Sequence, residues 1–329
     1  MPQPSPTRVR VRTPATSANL GPGFDALGLA LELYDEVEVA VRGDDRVAVR
    51  IDGEGADELP RDGTHLVVRA MRDTFEAAGK TLPGVDVECT NRVPHGRGLG
   101  SSASAIVAGV TAARVLLGQE SAEGGPRDRD QIFEAAARIE GHPDNVAPCV
   151  YGGFTVAWRT EDAWRALSLA PSPRVLPVVC VPEERLSTET ARGLLPEKVA
   201  HGAAAFTAGR AALLVAAITG HPELLLEATA DQLHQTYREP AMPASDRLLR
   251  ELRERDGLPA VISGAGPTVL VLGRSPDEQG RTGDAGRISR NRVDSMGEPA
   301  GTRWHIRPIK IDPAGVWISS PRSLTCVEE

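Results

Sequence analysis

Residues 9–11, 34–41 and 47–51 alternate apolar with polar side chains between Gly and Asp turns, a period of two that predicts strands and a chain opening as a sheet. Residues 64–78 change period: Leu66, Val67, Ala70, Met71, Thr74 and Phe75 recur at helical spacing, and Gly79 follows as a C-terminal stop. Residues 85–89 predict another strand. Between Gly100 and Gly118 the run of Ser, Ala, Val, Ile and Leu carries too many apolar positions for a surface helix, so a buried one is expected. A helix over 131–139 and strands over 152–158 and 175–181 follow, the last opening a second domain near residue 170.

The second half repeats the mixture. Residues 203–218 predict a strongly apolar helix with Gly209 inside it, 222–233 a helix with Pro222 at the tolerated first position, and 246–255 an exposed amphipathic helix. Residues 260–262 and 269–272 read as buried strands. Between 274 and 302 the periodicity gives way to Gly, Arg, Asp and Ser, which predicts a polar, flexible stretch, and a weak pattern resumes at 304–312.

Length and charge narrow the function. At 329 residues and 34.9 kDa the chain exceeds one ordinary core, so two domains, or one enlarged domain, are expected. Apolar residues make up 41% and charged ones 25%, as in a soluble globular protein. The net charge of −8 supplies no positive field for a phosphate backbone, which argues against a nucleic-acid partner. No apolar run approaches the roughly 20 residues that span a bilayer, and the first twelve residues lack the apolar core of a signal peptide. No membrane association is expected, and the cytoplasm is the expected compartment. Cys89, Cys149, Cys180 and Cys326 are isolated, which implies neither a disulfide framework nor a zinc site.

The densest chemistry lies in Val93-Pro94-His95-Gly96-Arg97-Gly98-Leu99-Gly100-Ser101-Ser102, directly ahead of the buried helix. Glycines let backbone N–H groups approach an anion, and a helix start adds unpaired donors with about half a positive charge, so together they predict a phosphate cradle. Three familiar alternatives fail on spacing. The third glycine arrives one residue early for a dinucleotide fingerprint, no G-x-S-x-G elbow is present, and Gly79-Lys80-Thr81 has Thr74 where a Walker loop needs glycine. The only lysines are Lys80, Lys198 and Lys310. Phosphates must therefore be held by backbone donors, serine hydroxyls and a metal ion.

Pro94 to Ser104 (PHGRGLGSSAS) resembles the ATP-binding motif of the GHMP small-molecule kinases. Three further segments carry the likeness: TPATSANLGPGFD over 13–25, EGHPDNVAP over 140–148 and SGAGPT over 263–268. They fall in the family's order across most of residues 8–273, in the form carried by members that phosphorylate homoserine. The resemblance implies an α+β fold in two domains, with a ribosomal-protein-S5-like N-terminal domain over 1–168 and a ferredoxin-like C-terminal domain over 169–329. It also implies a homodimer and an ATP-dependent transfer to L-homoserine, giving O-phospho-L-homoserine for threonine synthesis. A kinase for another alcohol, such as mevalonate or a sugar, and a catalytically silent ligand sensor are the rivals.

Residue roles follow from the same likeness. ATP is assigned to Pro94, His95, Gly96, Arg97, Gly98, Leu99, Gly100, Ser101, Ser102, Ala103 and Ser104. Mg2+ prefers one or two carboxylates with hydroxyls, which here means Ser101 or Ser102 with Glu140, or alternatively Glu134. The substrate falls to Asn19, Asp25, His142, Asn145, Thr188, Arg192 and Arg238. Asn19 and Asp25 flank a Gly-Pro-Gly turn suited to an ammonium, and the two arginines suit a carboxylate through bidentate pairing. Asn145, Asp144 and Asp25 are the expected catalytic residues. Asn145 at the reacting hydroxyl is no strong base, so the favoured path is positioning, with the proton leaving through the γ-phosphate and Asp25 or His142 as lesser acceptors.

Overall fold

In the computed structural model, which describes residues 7–119, 125–275, 288 and 302–319, strand β1 (Arg8–Ala18) begins with one wet face and ends with none. Its first residues alternate, with Arg10 standing opposite Glu38 of β2 (Leu27–Val41), and from Thr13 onward every side chain is buried. The alternation that predicts strands is therefore lost where both faces are covered. That loss explains why the pattern marks only 9–11 and 34–41 of two much longer strands. The first sheet runs β11-β1-β2-β4-β3, with β3 (Val47–Gly53), β4 (Val85–Asn91) and β11 (Trp317–Ser319). A hairpin of β5 (Phe154–Arg159) and β6 (Trp164–Leu169) joins through β2. Among the described residues, only β3 and β4 pair in parallel. Strand β6 goes beyond the sequence expectation: its burial alternates over Trp164–Leu167, but Leu167 stands on the exposed face, which blurs the apolar–polar pattern.

Four helices cover this sheet: α1 (Leu66–Ala77), α2 (Ser101–Leu116), α3 (Pro126–Glu140) and α4 (Val146–Tyr151). The buried helix expected after Gly100 is α2, which packs Val107 and Val110 against Met71 of α1, Phe133 of α3 and Val9, Val39 and Val87 of the sheet. Such a helix, dry almost all round, has a fixed axis, and its N-terminus is aimed by the core.

The second sheet runs β10-β7-β9-β8, all antiparallel, from β7 (Val175–Pro182), β8 (Ala260–Ile262), β9 (Val269–Arg274) and β10 (Trp304–Pro308). Its order of fourth, first, third and second strand is that of a ferredoxin-like sheet. β7 is buried on both faces. Val179 and Val181 meet Leu27, Leu29, Leu31 and Phe154 of the first sheet, so one core joins the two units. Val178 and Cys180 meet Leu248 and Leu249 of α9 (Pro243–Arg250).

Several expectations need correction. The run over 203–218 forms a helix as expected, but that helix, α6 (His201–Thr219), is long and apolar enough to cross a membrane by length and composition, against the expectation that no apolar run approaches that length. Leu214, Ala217 and Ile218 anchor it in the inter-unit core. The helix expected over 222–233 is instead a 3-10 turn at Pro222–Leu224 and a short α7 (Leu225–Ala228). It stops because the buried Asp231 carboxylate takes the N–H groups of Leu233, His234 and Gln235 at 2.8–3.0 Å, capping α8 (Gln235–Arg238). The helix expected over 246–255 is α-helical to Arg250 and continues to Arg255 as a π-helix. After β10 the chain returns to the first sheet, with β11 pairing β1 and Ile311 bridging Leu31, so these residues sit on the first sheet and not with the second domain expected over 169–329. Cys89, Cys149 and Cys180 are buried free thiols. The polar stretch expected over 274–302 lies, apart from residues 274, 275, 288 and 302, outside the described residues, as does Cys326.

Candidate active site

A cleft of about 410 Å3 opens where the two sheets meet, and the loop ahead of α2 forms its floor. Gly96, Gly98 and Gly100 all take positive φ (66°, 75° and 72°). At two of them a side chain has no room. A Cβ at Gly98 would stand 2.2 Å from Ser263 O, and one at Gly100 would stand 1.9 Å from Thr16 Oγ1. Gly100 is the N-cap of α2 and brings no side chain to the first-turn amides. Those N–H groups, which an α-helix leaves without internal partners, lie at the cleft with the positive end of the helix dipole.

The loop is fastened on both sides. Leu99 O accepts the Thr16 N–H at 3.0 Å, Gly96 O accepts that of Leu186 at 3.0 Å, and Gly98 O accepts the Ser263 hydroxyl at 2.6 Å. Arg97 donates to the carbonyls of Pro182 and Glu183 at 2.9 Å each, so its guanidinium ties the loop to the end of β7. At the loop's entry Asp35 Oδ1 accepts the N–H groups of Arg92 (2.7 Å) and Val93 (2.9 Å), while Oδ2 accepts the Ser104 hydroxyl (3.0 Å). Burial pushes the Asp35 carboxyl up, and these donors oppose it. Residues 94–102 line the cleft, whereas Ala103 and Ser104 are buried behind it.

The acidic candidates separate cleanly. Glu140 ends α3 inside the cleft and accepts the Ser102 hydroxyl at 2.6 Å. Glu134 instead pairs with Arg138 at 2.7 Å and accepts the Trp164 N–H at 2.6 Å, beside another hollow that it shares with Asp73 and Arg138. Next along the wall, His142 Nδ1 lies 2.8 Å from Asp144 Oδ1, which also accepts the Asn145 N–H at 2.8 Å. Burial by itself lowers His142, but the Asp144 bond with the charges of Asp144 and Glu140 holds it above its ordinary value. Asn145 Oδ1 accepts the Thr16 hydroxyl at 2.9 Å, which leaves the amide NH2 as the group it can offer a ligand.

The far wall is a turn with three non-glycine residues in the left-handed region: Asn19 (φ 67°), Leu20 (φ 51°) and Asp25 (φ 54°). Strain at Leu20, on the order of 1–2 kcal/mol, is offset by burying its whole side chain, which is worth about 1.5–3 kcal/mol. Asn19 Oδ1 accepts the Asp25 N–H at 3.0 Å and Nδ2 donates to Gly264 O at 2.8 Å, so its amide builds the turn. Thr188 and Arg192 lie on α5 (Thr188–Gly193) and both line the cleft, as their spacing of four implies. Arg192 forks onto both oxygens of Asp25 at 2.6 and 3.1 Å.

Arg238 has no such carboxylate. It is 1% exposed, its NH1 donates to Gly264 O at 2.9 Å and to His234 Nδ1 at 3.1 Å, and its Nε has no partner. No ion pair forms on it among the described residues. Burial first, and then the Arg192 charge, push its pKa down to about 10, so it stays a cation at neutral pH.

Sequence models of the GHMP kinases N terminal domain and the GHMP kinases C terminal region match residues 65–153 and 211–287. The homoserine kinase of Streptomyces coelicolor is 51% identical, with 94% of each chain covered. That of Streptomyces avermitilis is 54% identical over 93% of this chain and 94% of its own. The chain belongs to the homoserine kinases of the GHMP kinase family. The crystal structure of homoserine kinase from Cytophaga hutchinsonii superposes with a TM-score of 0.80 at 26% identity, covering 96% of this chain and 99% of that one. The two-domain GHMP kinase fold and the use of ATP that the motifs imply are thus shared with the family.

Against that membership, the sequence assignments mark much of the cleft but miss Glu58, Arg185 and Ser187 in its lining and what holds the walls in place. Thr16 and Phe24 sit inside a quoted motif without an assigned role. Asp35 and His234 lie outside all of them, and only their contacts distinguish them from any strand carboxylate or helix-flanking histidine.

Proposed function

We propose that the chain transfers the γ-phosphoryl group of ATP to the side-chain hydroxyl of L-homoserine. The observation that carries this reading is Arg238, a cation buried to 1% exposure with only neutral acceptors, across the cleft from the α2 N-terminus. One end of the cleft suits a polyphosphate and the other holds a guanidinium with no carboxylate bound to it, and ATP with an amino-acid alcohol supplies both ligands. A pocket of about 240 Å3 lined by Leu59, Pro60, His65, Leu66 and His95 adjoins the loop and suits a flat, largely apolar base.

Backbone donors of residues 96–102 hold the phosphates, and Arg238 takes the α-carboxylate. Asp25, on the turn built by Asn19 and 36% exposed, is the carboxylate for the ammonium, with Arg192 fixing its orientation. The donor set at Glu140 and Ser102, a carboxylate and a hydroxyl 2.6 Å apart, consists of hard oxygens and fits Mg2+, which keeps waters and phosphate oxygens for its remaining positions. When bound, the ion neutralises charge on the phosphates. The hydroxyl oxygen forms the new bond to phosphorus as the bond to the ADP oxygen breaks, and its proton passes to a γ-phosphate oxygen. Asn145 orients that hydroxyl through its amide NH2, and Asp144 holds Asn145 and His142 in place. Asp25, bound on both oxygens by Arg192, is poorly placed to act as the base.

ADP release coupled to homoserine, mevalonate, galactose and shikimate in parallel tests the reading. Turnover with homoserine well above the others is expected. Turnover with mevalonate or galactose instead, or with none of the four, would overturn it.

A further inference from the structure

We propose that His234 is a positioning residue that orients the Arg238 guanidinium without neutralising it, by acting as a neutral hydrogen-bond acceptor. The inference rests on the reading that Arg238 takes the substrate carboxylate. A guanidinium only donates, so the 3.1 Å bond from NH1 requires the lone pair at His234 Nδ1, and the proton must sit on Nε2. Nε2 does have an acceptor: Gly21 O lies 2.7 Å away, on the turn that carries Asn19 and Asp25. The bonding pattern therefore fixes both the tautomer and the neutral state, and burial, which pushes His234 below its ordinary value, works in the same direction.

Other groups around the ring leave that state undisturbed. Asp231 lies 3.6 Å from Nε2, but its oxygens already accept three backbone N–H groups. Phe24 stacks on the imidazole with centroids 5.2 Å apart, and the guanidinium carbons of Arg192 and Arg238 each lie 5.6 Å from the Phe24 ring. One aromatic pair thus sets the spacing of both cations. A carboxylate in place of His234 would pair with Arg238 and compete with the ligand for it, and an apolar side chain would leave NH1 undirected. A buried neutral acceptor avoids both outcomes.

The test compares kcat/KM for homoserine with that for 3-aminopropan-1-ol, which is homoserine without its carboxylate. The ratio measures recognition of the carboxylate alone, which a merely structural defect would not change. The full chain carries His234→Asn, His234→Leu, His234→Glu or Arg238→Met. His234→Leu is expected to lower the ratio about tenfold, His234→Glu about a hundredfold, and His234→Asn, which keeps a neutral acceptor, by no more than about threefold. The ATP KM should stay constant throughout. If Arg238→Met leaves the ratio unchanged, the carboxylate reading itself is wrong. If Arg238→Met collapses the ratio while His234→Leu and His234→Glu leave it within about twofold, that reading stands and the role of His234 is overturned. Should His234→Leu fail to fold, His234→Asn against His234→Glu decides alone.

Discussion

Replacing Arg238 by Met should weaken homoserine and spare the protein. Burial first, and then the Arg192 charge, push the guanidinium pKa down to about 10, a fall of about 3 kcal/mol against the charged form. A substrate carboxylate within hydrogen-bond reach would recover an energy of that order, because it supplies the partner that Nε lacks. Methionine keeps the length and apolar bulk but removes the charge. About 3 kcal/mol of lost binding then raises the homoserine KM about 150-fold, with the ATP KM unchanged. Two acceptors, Gly264 O and His234 Nδ1, lose a donor at about 1 kcal/mol each. Loss of the buried cation offsets that, so thermal unfolding without substrate should not fall. Steady-state kinetics in both substrates and a melting curve check the pair of statements. A homoserine KM within about fivefold of the parent, or an equal rise in both KM values, would refute the reasoning that Arg238 is a stored charge.

Other expectations follow from the same geometry. Gly100→Ala must place a methyl group 1.9 Å from Thr16 Oγ1 at φ 72°, so nucleotide binding by calorimetry should fall by about two orders of magnitude while circular dichroism keeps its helical signal. Glu140→Gln should lower kcat at least about a hundredfold and raise the Mg2+ requirement, whereas Glu134→Gln, at a carboxylate that pairs with Arg138 and accepts the Trp164 N–H, should leave kcat unchanged and lower the melting temperature. If Glu134→Gln gives the kinetic loss instead, the metal assignment moves. His142 should titrate above its ordinary value by NMR. Its stabilising contribution, seen as the difference in unfolding free energy from His142→Gln, should be complete on the acid side and fade as pH rises through the folded pKa. A difference that grows with pH would contradict the pairing with Asp144. Asp35→Ala frees the N–H groups of Arg92 and Val93 at about 1–3 kcal/mol each, so the ATP KM should rise with the homoserine KM unchanged.

Much of the site was legible before any coordinates. Glycines at 96, 98 and 100 ahead of an apolar run can be read locally, because positive φ and a helix start are properties of consecutive residues. The apolar run that buries α2 was equally visible, and with it the aim of the helix end. Strand lengths were less legible, since β1 and β2 lose their alternation where both faces are covered.

What the chain order could not express is pairing between residues far apart in it. The choice of Glu140 over Glu134 depends on which face of α3 meets Ser102, 38 residues away. Arg192 and Arg238 look alike as arginines near a helix end, yet one is matched by Asp25 and the other by nothing charged. His234 has its tautomer set by Gly21 O, 213 residues earlier, as well as by its neighbour Arg238. Local conformation is written in neighbouring side chains, whereas the charge state and partner of a buried group are set by whatever the fold brings within a few ångströms of it.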